Sequence, residues 1–378
     1  MNIGILNTIM YTSGKTGYYH SQETGLAKEL HDRGHTVCVY RCANANTALN
    51  IYSLDGVTIM ECPTESVGVH GYMDTQYILK HTDCLVAFSD TQVFLPHVIR
   101  FCRKRGIGFI PYAGTVRSQS EGLKKQAADA LFQITTSRYY RQMPVMAKTK
   151  RVAEQLEAAG AGRVLYAPAG MDPDMLQLRF REHDRAEIRN SSGYAEDDHI
   201  ILFIGEMAPW KRHDAMLRIF RSVYEKDSLA KLIMIGKGKL ERKIRSAAAQ
   251  CGAAEAIRMI PKVPHEDIWK YYYIADDFVN LSEVEIYGMS VMEAVFYDTR
   301  VTAMHAPGPD DILEGSAVHT LCGAHDEVFR NLMSPLPDPQ VLRQESGHLL
   351  ASRTWKRAAD AIEELARNAQ PVQNVARK

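Results

Sequence analysis

Short apolar runs alternate with helical spacing of apolar residues along two separate stretches of the chain, and that repetition restricts the fold more than any other feature. In the first stretch the runs fall at residues 2–7, 36–41, 57–61, 84–88, 108–112 and 145–147. The spacing predicts helices between them, the first over 21–33, with Leu26 and Leu30 turned inward and Gly34 as its stop. In the second stretch the runs fall at 199–204, 231–235, 257–260 and 277–281, with helices expected over 214–225, 240–250 and 266–273. Such alternation predicts parallel sheets covered by helices on both faces. Pro168, Gly170, Asp172, Pro173 and Asp174 punctuate the junction and mark a linker. A chain of 378 residues, 46% of them hydrophobic, can bury two cores. The expected fold class is therefore α/β, with two doubly wound Rossmann-like domains facing across a cleft. The expected boundaries are 1–168, 169–352, and a helical segment at 353–378 that packs back towards the first domain.

Ligands of such sheets sit beyond the carboxyl ends of the strands, so the loops there carry the chemistry. The most informative of them runs from Leu281 to Val295. It ends a buried strand, turns at Gly288 and opens a helix at Met289. Eight positions at 100° per residue leave Glu285 and Glu293 about 80° out of alignment on any continuous helix. Glu285 is therefore placed in the loop and Glu293 inside the helix. Backbone amides near Gly288, Met289 and Ser290 would face an anion, and the two carboxylates suit hydroxyl groups. Together these suggest a nucleotide sugar.

Three further glycine loops follow strands. Gly14-Lys-Thr-Gly17 follows the first run, and Gly205-Glu-Met-Ala-Pro-Trp-Lys211-Arg212 opens the second stretch. Gly236-Lys-Gly238 follows the next strand. Lys211 and Arg212 stand where a helix begins, so cation and helix dipole would act together on a diphosphate. No G-x-G-x-x-G is present and the run at 36–41 ends in Arg41, which argues against a dinucleotide enzyme. A glycoside hydrolase would also use paired carboxylates, but here both belong to a strand–loop–helix phosphate site.

Taken together, these loops resemble the retaining GT-B glycosyltransferases of family 4, and the resemblance extends over nearly the whole chain. Its most specific part is E-x7-E, Glu285 to Glu293, within S-x-x-E-x-x-G-x-x-x-x-E-A from Ser282 to Ala294. Supporting matches are the spacing from Gly205 to Lys211, Gly236-Lys-Gly238, Val263-Pro-His-Glu-Asp267, Ala275-Asp276, Pro168-x-Gly170-x-Asp172 and Arg33-Gly-His35. The resemblance implies that Glu293 holds ribose hydroxyls and that Glu285 contacts the sugar near its reacting carbon. It implies that Lys211, with Arg212 and Gly205, neutralises or cradles the diphosphate. Gly236, Lys262 and Val263 would line the nucleotide, and Tyr287, Gly288, Met289 and Ser290 would bind sugar and diphosphate through the backbone. On the acceptor side it points to Gly14, Gly17, His20 and Tyr112. Catalytic duty falls on Glu285 and Lys211. Two positions depart from the family pattern: Glu206 stands where arginine is usual, and Ala113 where relatives often carry histidine. A relative that binds nucleotide sugar without transfer is the alternative these departures leave open.

The chain holds 45 basic and 45 acidic residues, so net charge supplies no case for a nucleic-acid partner, and none is expected. Locally, residues 95–153 carry twelve lysines and arginines against Glu121 and Asp129, which suggests an anionic membrane surface and a saccharide or lipid-linked acceptor. Seven cysteines without metal-ligand spacing suggest reduced thiols in the cytoplasm. No leader is expected from the first residues, so any place on the plasma membrane would be peripheral, at its inner face. The donor is expected to be a UDP- or GDP-sugar. No D-x-D loop or metal-ligand cluster is seen, so no metal cofactor is expected.

Overall fold

A computed structural model describes residues 1–10, 22–67, 70–88, 94–116, 122–171 and 176–368. It divides into two compact units, Met1–Asp172 with Arg353–Lys378, and Pro173–Ser352. Among the described residues no helix is long and apolar enough to cross a membrane.

The first unit is built on nine strands: β1 (Asn2–Asn7), β2 (Thr36–Asn44), β3 (Asn50–Leu54), β4 (Val57–Val67), β5 (His70–Met73), β6 (Cys84–Phe88), β7 (Gly108–Ala113), β8 (Pro144–Ala147) and β9 (Arg163–Tyr166). Their order is β3-β4-β2-β1-β6-β7-β8-β9, with β5 also paired to β4. Continuous apolar runs such as Ile3, Ile5 and Leu6 are buried, as expected where helices cover both faces of parallel strands.

One expectation fails here. A helix was expected between the runs at 36–41 and 57–61, but the chain forms β3 there, antiparallel to β4, and β5 also runs antiparallel to β4. The cause is the dipeptide Asp55-Gly56, with φ of 48° and 79°. Positive φ at both central residues makes a tight hairpin turn whose twist matches the strands. The periodicity of the flanking runs gave no warning of it.

The helix Gln22–Asp32 covers β1 and β2 in this unit, and the helix Lys356–Asn368 lies against it. Arg33 reaches Asp360 at 2.6 Å, and His35 meets Glu363 at 3.0 Å. Trp355, just before this C-terminal helix, is buried beside Gly25 and Gly170 and anchors it. A Cβ at Gly25 would lie 2.3 Å from Trp355 Nε1.

The second unit holds a wholly parallel sheet of β10 (His199–Ile204), β11 (Ala230–Ile235), β12 (Ile257–Ile260), β13 (Asp277–Asn280), β14 (Arg300–Met304) and β15 (Thr320–Cys322). The order is β12-β11-β10-β13-β14-β15. At the foot of β13, Asp277 is fully buried and takes both Nε and Nη2 of Arg300, at 2.6 and 2.9 Å. His199 bridges Asp277 at 2.8 Å and Asp227 at 3.2 Å. Burial opposes charge on this imidazole, but the Asp277 hydrogen bond and the nearby carboxylates outweigh it and raise its pKa.

The Gly25 contact yields a paired test. Gly25→Ala forces the indole aside and should cost about 1–3 kcal/mol. Gly347, inside the helix Pro339–Leu350, has open space where a Cβ would go, so Gly347→Ala should stabilise by about 0.5–1 kcal/mol. Opposite shifts of the urea midpoint are expected. A Gly25→Ala protein as stable as the parent would remove the tryptophan anchor from this account.

Candidate functional site

The strand order sets β12, β11, β10 and β13 side by side, so four loops meet along one carboxyl edge of the second sheet. Three of them are tied together through backbone. The Gly205 amide donates to Ile235 O at 3.0 Å, the Gly236 amide to Ile260 O at 2.9 Å, and the Met207 amide to Lys237 O at 2.8 Å. The approach is so close that a Cβ at Gly236 would fall 1.9 Å from Gly205 O, and one at Gly238 2.4 Å from Met207 O. No other residue type fits these positions without parting the loops.

Lys211 ends a short 3-10 turn, Pro209–Lys211, and Arg212 follows with φ of 57° before the helix His213–Tyr224. The left-handed residue stops the turn and lets a new helix axis begin. The lysine stem lies over Gly205, where an added Cβ would be 3.2 Å from Lys211 Cδ. Its ammonium thereby reaches across to the β13 loop and pairs with Glu285 Oε2. Arg212 and Glu206 both face solvent. His213 is buried beside the Gly205 backbone, and burial drives its pKa down to about 4, so the ring is neutral at physiological pH.

Glu285 does lie in the strand-to-helix loop, and the helix Met289–Phe296 starts after Gly288, whose φ is 70°. The carboxylate of Glu285 accepts from Asn280 Nδ2 at 3.4 Å and from the Gly288 amide at 3.3 Å. Its carbonyl accepts from the Gly308 amide at 2.9 Å. This corrects one expectation: the Gly288 amide is engaged by the chain's own carboxylate, because the turn folds Glu285 back onto the start of the helix. Tyr287, Met289 and Ser290 are half-buried around that turn.

Glu293 is inside the helix, as its spacing predicts, and accepts a 2.7 Å hydrogen bond from Tyr272, which is wholly buried. Burial raises the Glu293 pKa to about 7 against the opposing effect of that hydrogen bond. Tyr272 stacks on Tyr297 with ring centroids 5.6 Å apart. Sequence reasoning missed Tyr272. Its signal was faint, one tyrosine in the run Tyr271-Tyr-Tyr273. Lys262 is exposed and Val263 half-buried in the loop after β12.

On the acceptor side, Gly14, Gly17 and His20 lie outside the described residues. Tyr112 is corrected: it is fully buried and donates to Ala167 O at 2.7 Å, so it is a core residue of β7. Lys148, counted with the basic stretch, is also interior, its ammonium 4.1 Å from the centroid of the Phe88 ring. A cavity of about 470 Å³ opens at the opposite, amino edge of the second sheet, lined by Arg189, His199, Asp227 and Asp276 among others. It stands apart from the four loops.

Glu293 supplies a pH test. Between an ordinary carboxylate value and about 7, the folded chain keeps a proton that the unfolded chain releases. Its contribution is therefore complete below that window and declines as pH rises through it. Urea unfolding at pH 5 and pH 7.5 should show this loss for the parent and a smaller one for Glu293→Gln. Equal pH slopes in the two proteins would contradict it.

Residues 184–327 match the family model described as Glycosyl transferases group 1. Among curated proteins, the D-inositol 3-phosphate glycosyltransferase of Geodermatophilus obscurus is 26% identical over 232 residues, covering 58% of this chain and 51% of its own. That of Actinosynnema mirum is 28% identical over 236 residues, covering 58% and 55%. The chain thus spans about half the length of the curated relatives it matches. Among solved structures, sucrose-phosphate synthase from Thermosynechococcus elongatus superposes with a TM-score of 0.74 at 13% identity, covering 97% of this chain and 98% of that one. Anabaena HepE in complex with UDP-glucose gives 0.71 at 14% identity, covering 97% and 99%. WaaG, a glycosyltransferase involved in lipopolysaccharide biosynthesis, gives 0.66 at 17%, covering 99% and 100%. The match to glycosyl transferases group 1 thus lies within the second unit, and the chain has the GT-B fold.

Proposed function

We propose that the protein is a retaining glycosyltransferase that moves a hexose from a nucleotide-diphosphate sugar to a hydroxyl of a saccharide or lipid-linked acceptor. The observation that carries this reading is the single carboxyl edge on which Lys211, Glu285, the Gly205 and Gly236 loops and the start of the helix Met289–Phe296 come together. Cation, glycine backbone and helix N-terminus are the groups that stabilise a diphosphate. The HepE complex, which holds UDP-glucose, supports a uridine donor. The relatives named for D-inositol 3-phosphate support a hydroxyl-bearing acceptor.

In this reading Lys211, with Arg212, lowers the energy of the leaving diphosphate as negative charge builds on it. Glu285 meets the sugar hydroxyls as the anomeric carbon gains oxocarbenium character. The acceptor hydroxyl attacks from the face that the diphosphate leaves, its proton passing to a diphosphate oxygen. The C1–O bond to phosphate breaks, the C1–O bond to the acceptor forms, and the anomeric configuration is kept. Charge stabilisation by side chains and helix start makes a metal ion unnecessary. Glu293 takes the ribose hydroxyls, and Lys262 and Val263 flank the base.

Acceptor delivery from a membrane surface is part of the same proposal. Arg100, Lys104, Arg105, Arg138 and Arg141 are exposed on the first unit, and Ile134, shortly before Arg138 in the sequence, is 73% exposed. Arg103 and Arg138 both lie over the Tyr139 ring, at 5.1 and 4.9 Å. Cations with an exposed aliphatic side chain suit the anionic inner face of a plasma membrane, with cell-surface polysaccharide or glycolipid synthesis as the setting.

Two experiments test these statements. UDP-glucose at one hundred times its dissociation constant should add about 2.7 kcal/mol to unfolding stability, and Lys211→Ala should remove most of the gain. If no UDP- or GDP-sugar raises the midpoint, the donor reading fails; binding without sugar transfer would mark a non-catalytic relative. Cosedimentation should rise with the fraction of phosphatidylglycerol in liposomes and fall in Arg100→Glu/Arg138→Glu, whereas indifference to lipid charge would exclude the membrane face.

A further inference from the structure

Glu285 is held by the Lys211 ammonium, the Asn280 amide nitrogen and the Gly288 backbone amide. Two of these three, the ammonium and the helix-start amide, are the groups assigned above to the donor's diphosphate. One anion of the chain therefore already occupies the place of another. Glu285 and Lys211 side chains are only 16% and 18% exposed, so the pair is shielded from much of the screening that weakens surface ion pairs. Its geometry is fixed from both sides. The Gly308 amide pins the Glu285 backbone, and the Lys211 stem is pressed over Gly205.

We infer that the Lys211–Glu285 pair makes the site discriminate between a sugar-bearing donor and the spent nucleotide diphosphate. The inference rests on the proposed donor reading. A diphosphate that enters must share Lys211 with Glu285, and two anions then compete for one cation. A donor that still carries its hexose offers hydroxyl donors to the displaced carboxylate, so Glu285 exchanges one partner for another. The spent nucleotide has no hexose to offer. Once the sugar has moved to the acceptor, Glu285 returns to Lys211 and weakens the hold on the departing nucleotide. The same residue thus favours loading of donor and release of product.

Calorimetric titration with UDP and with UDP-glucose, on the parent, Glu285→Gln, Lys211→Ala and the double variant, tests this directly. In the parent, UDP-glucose should bind more tightly than UDP. Glu285→Gln keeps side-chain size and hydrogen bonding but frees Lys211. It should bind UDP about fivefold more tightly than the parent, the scale of one partly buried ion pair, and should lose the preference for the sugar conjugate. Lys211→Ala should weaken both ligands, and the double variant should match it. Glu285→Gln binding UDP no better than the parent overturns the inference. So does a parent that binds UDP as tightly as UDP-glucose, a measurement that needs no variant. Lys211→Ala binding both ligands like the parent instead sinks the phosphate role of Lys211, and the donor reading with it.

Discussion

Parallel pairing is the constraint from which the rest of this molecule follows. A parallel strand cannot return through a two-residue turn, so each strand of the second sheet is followed by a crossover long enough to hold a helix. Every strand then points the same way, and all the loops that leave carboxyl ends gather on one edge. The order β12-β11-β10-β13 sets four of them in consecutive places. Nothing else is needed to bring Gly205, Gly236, Lys262 and Glu285 into one neighbourhood, although 80 positions separate the first from the last. The glycines then decide how near the loops come, and Lys211 ties the β10 loop to the β13 loop.

The two acids of the E-x7-E segment have different environments for a local reason. Glu285 lies before the helix and meets donors: an ammonium, a side-chain amide and a backbone amide. Glu293 lies one turn from the helix end, beside the buried phenol of Tyr272, where burial makes charge costly. Environment, more than residue type, sets what each carboxyl group can do.

Much of the second unit was legible because its signals are redundant. Apolar runs, glycine turns and helical spacing agree from β10 to the helix Met289–Phe296, and the loop placement of Glu285 followed from eight residues' worth of rotation. The first unit was less legible. Asp55-Gly56 makes a hairpin through two positive φ values, a property that periodicity does not encode. Tyr112 and Lys148 look polar and available in sequence but are interior, the first bonded to Ala167 O and the second set against Phe88. Tyr272 could not be chosen from three adjacent tyrosines, because which of them turns inward depends on the helix face that meets β13 and Tyr297. Short strands such as β14 and β15 escaped notice because three to five residues barely define a period.

Strand β13 is only four residues long, and its two ends do different work. At the foot, Asp277 is clamped by Arg300 and His199; at the tip, Asn280 touches Glu285. Four extended residues span about 13 Å, and so short a rod has little room to bend. The strand is held along its whole length by β14, with Asp277 opposite Arg300 and Asn280 opposite Ala303, so root and tip are aimed together. His199 meets the root only through a hydrogen bond, and from Asp277 three peptide bonds lead to Asn280 at the tip.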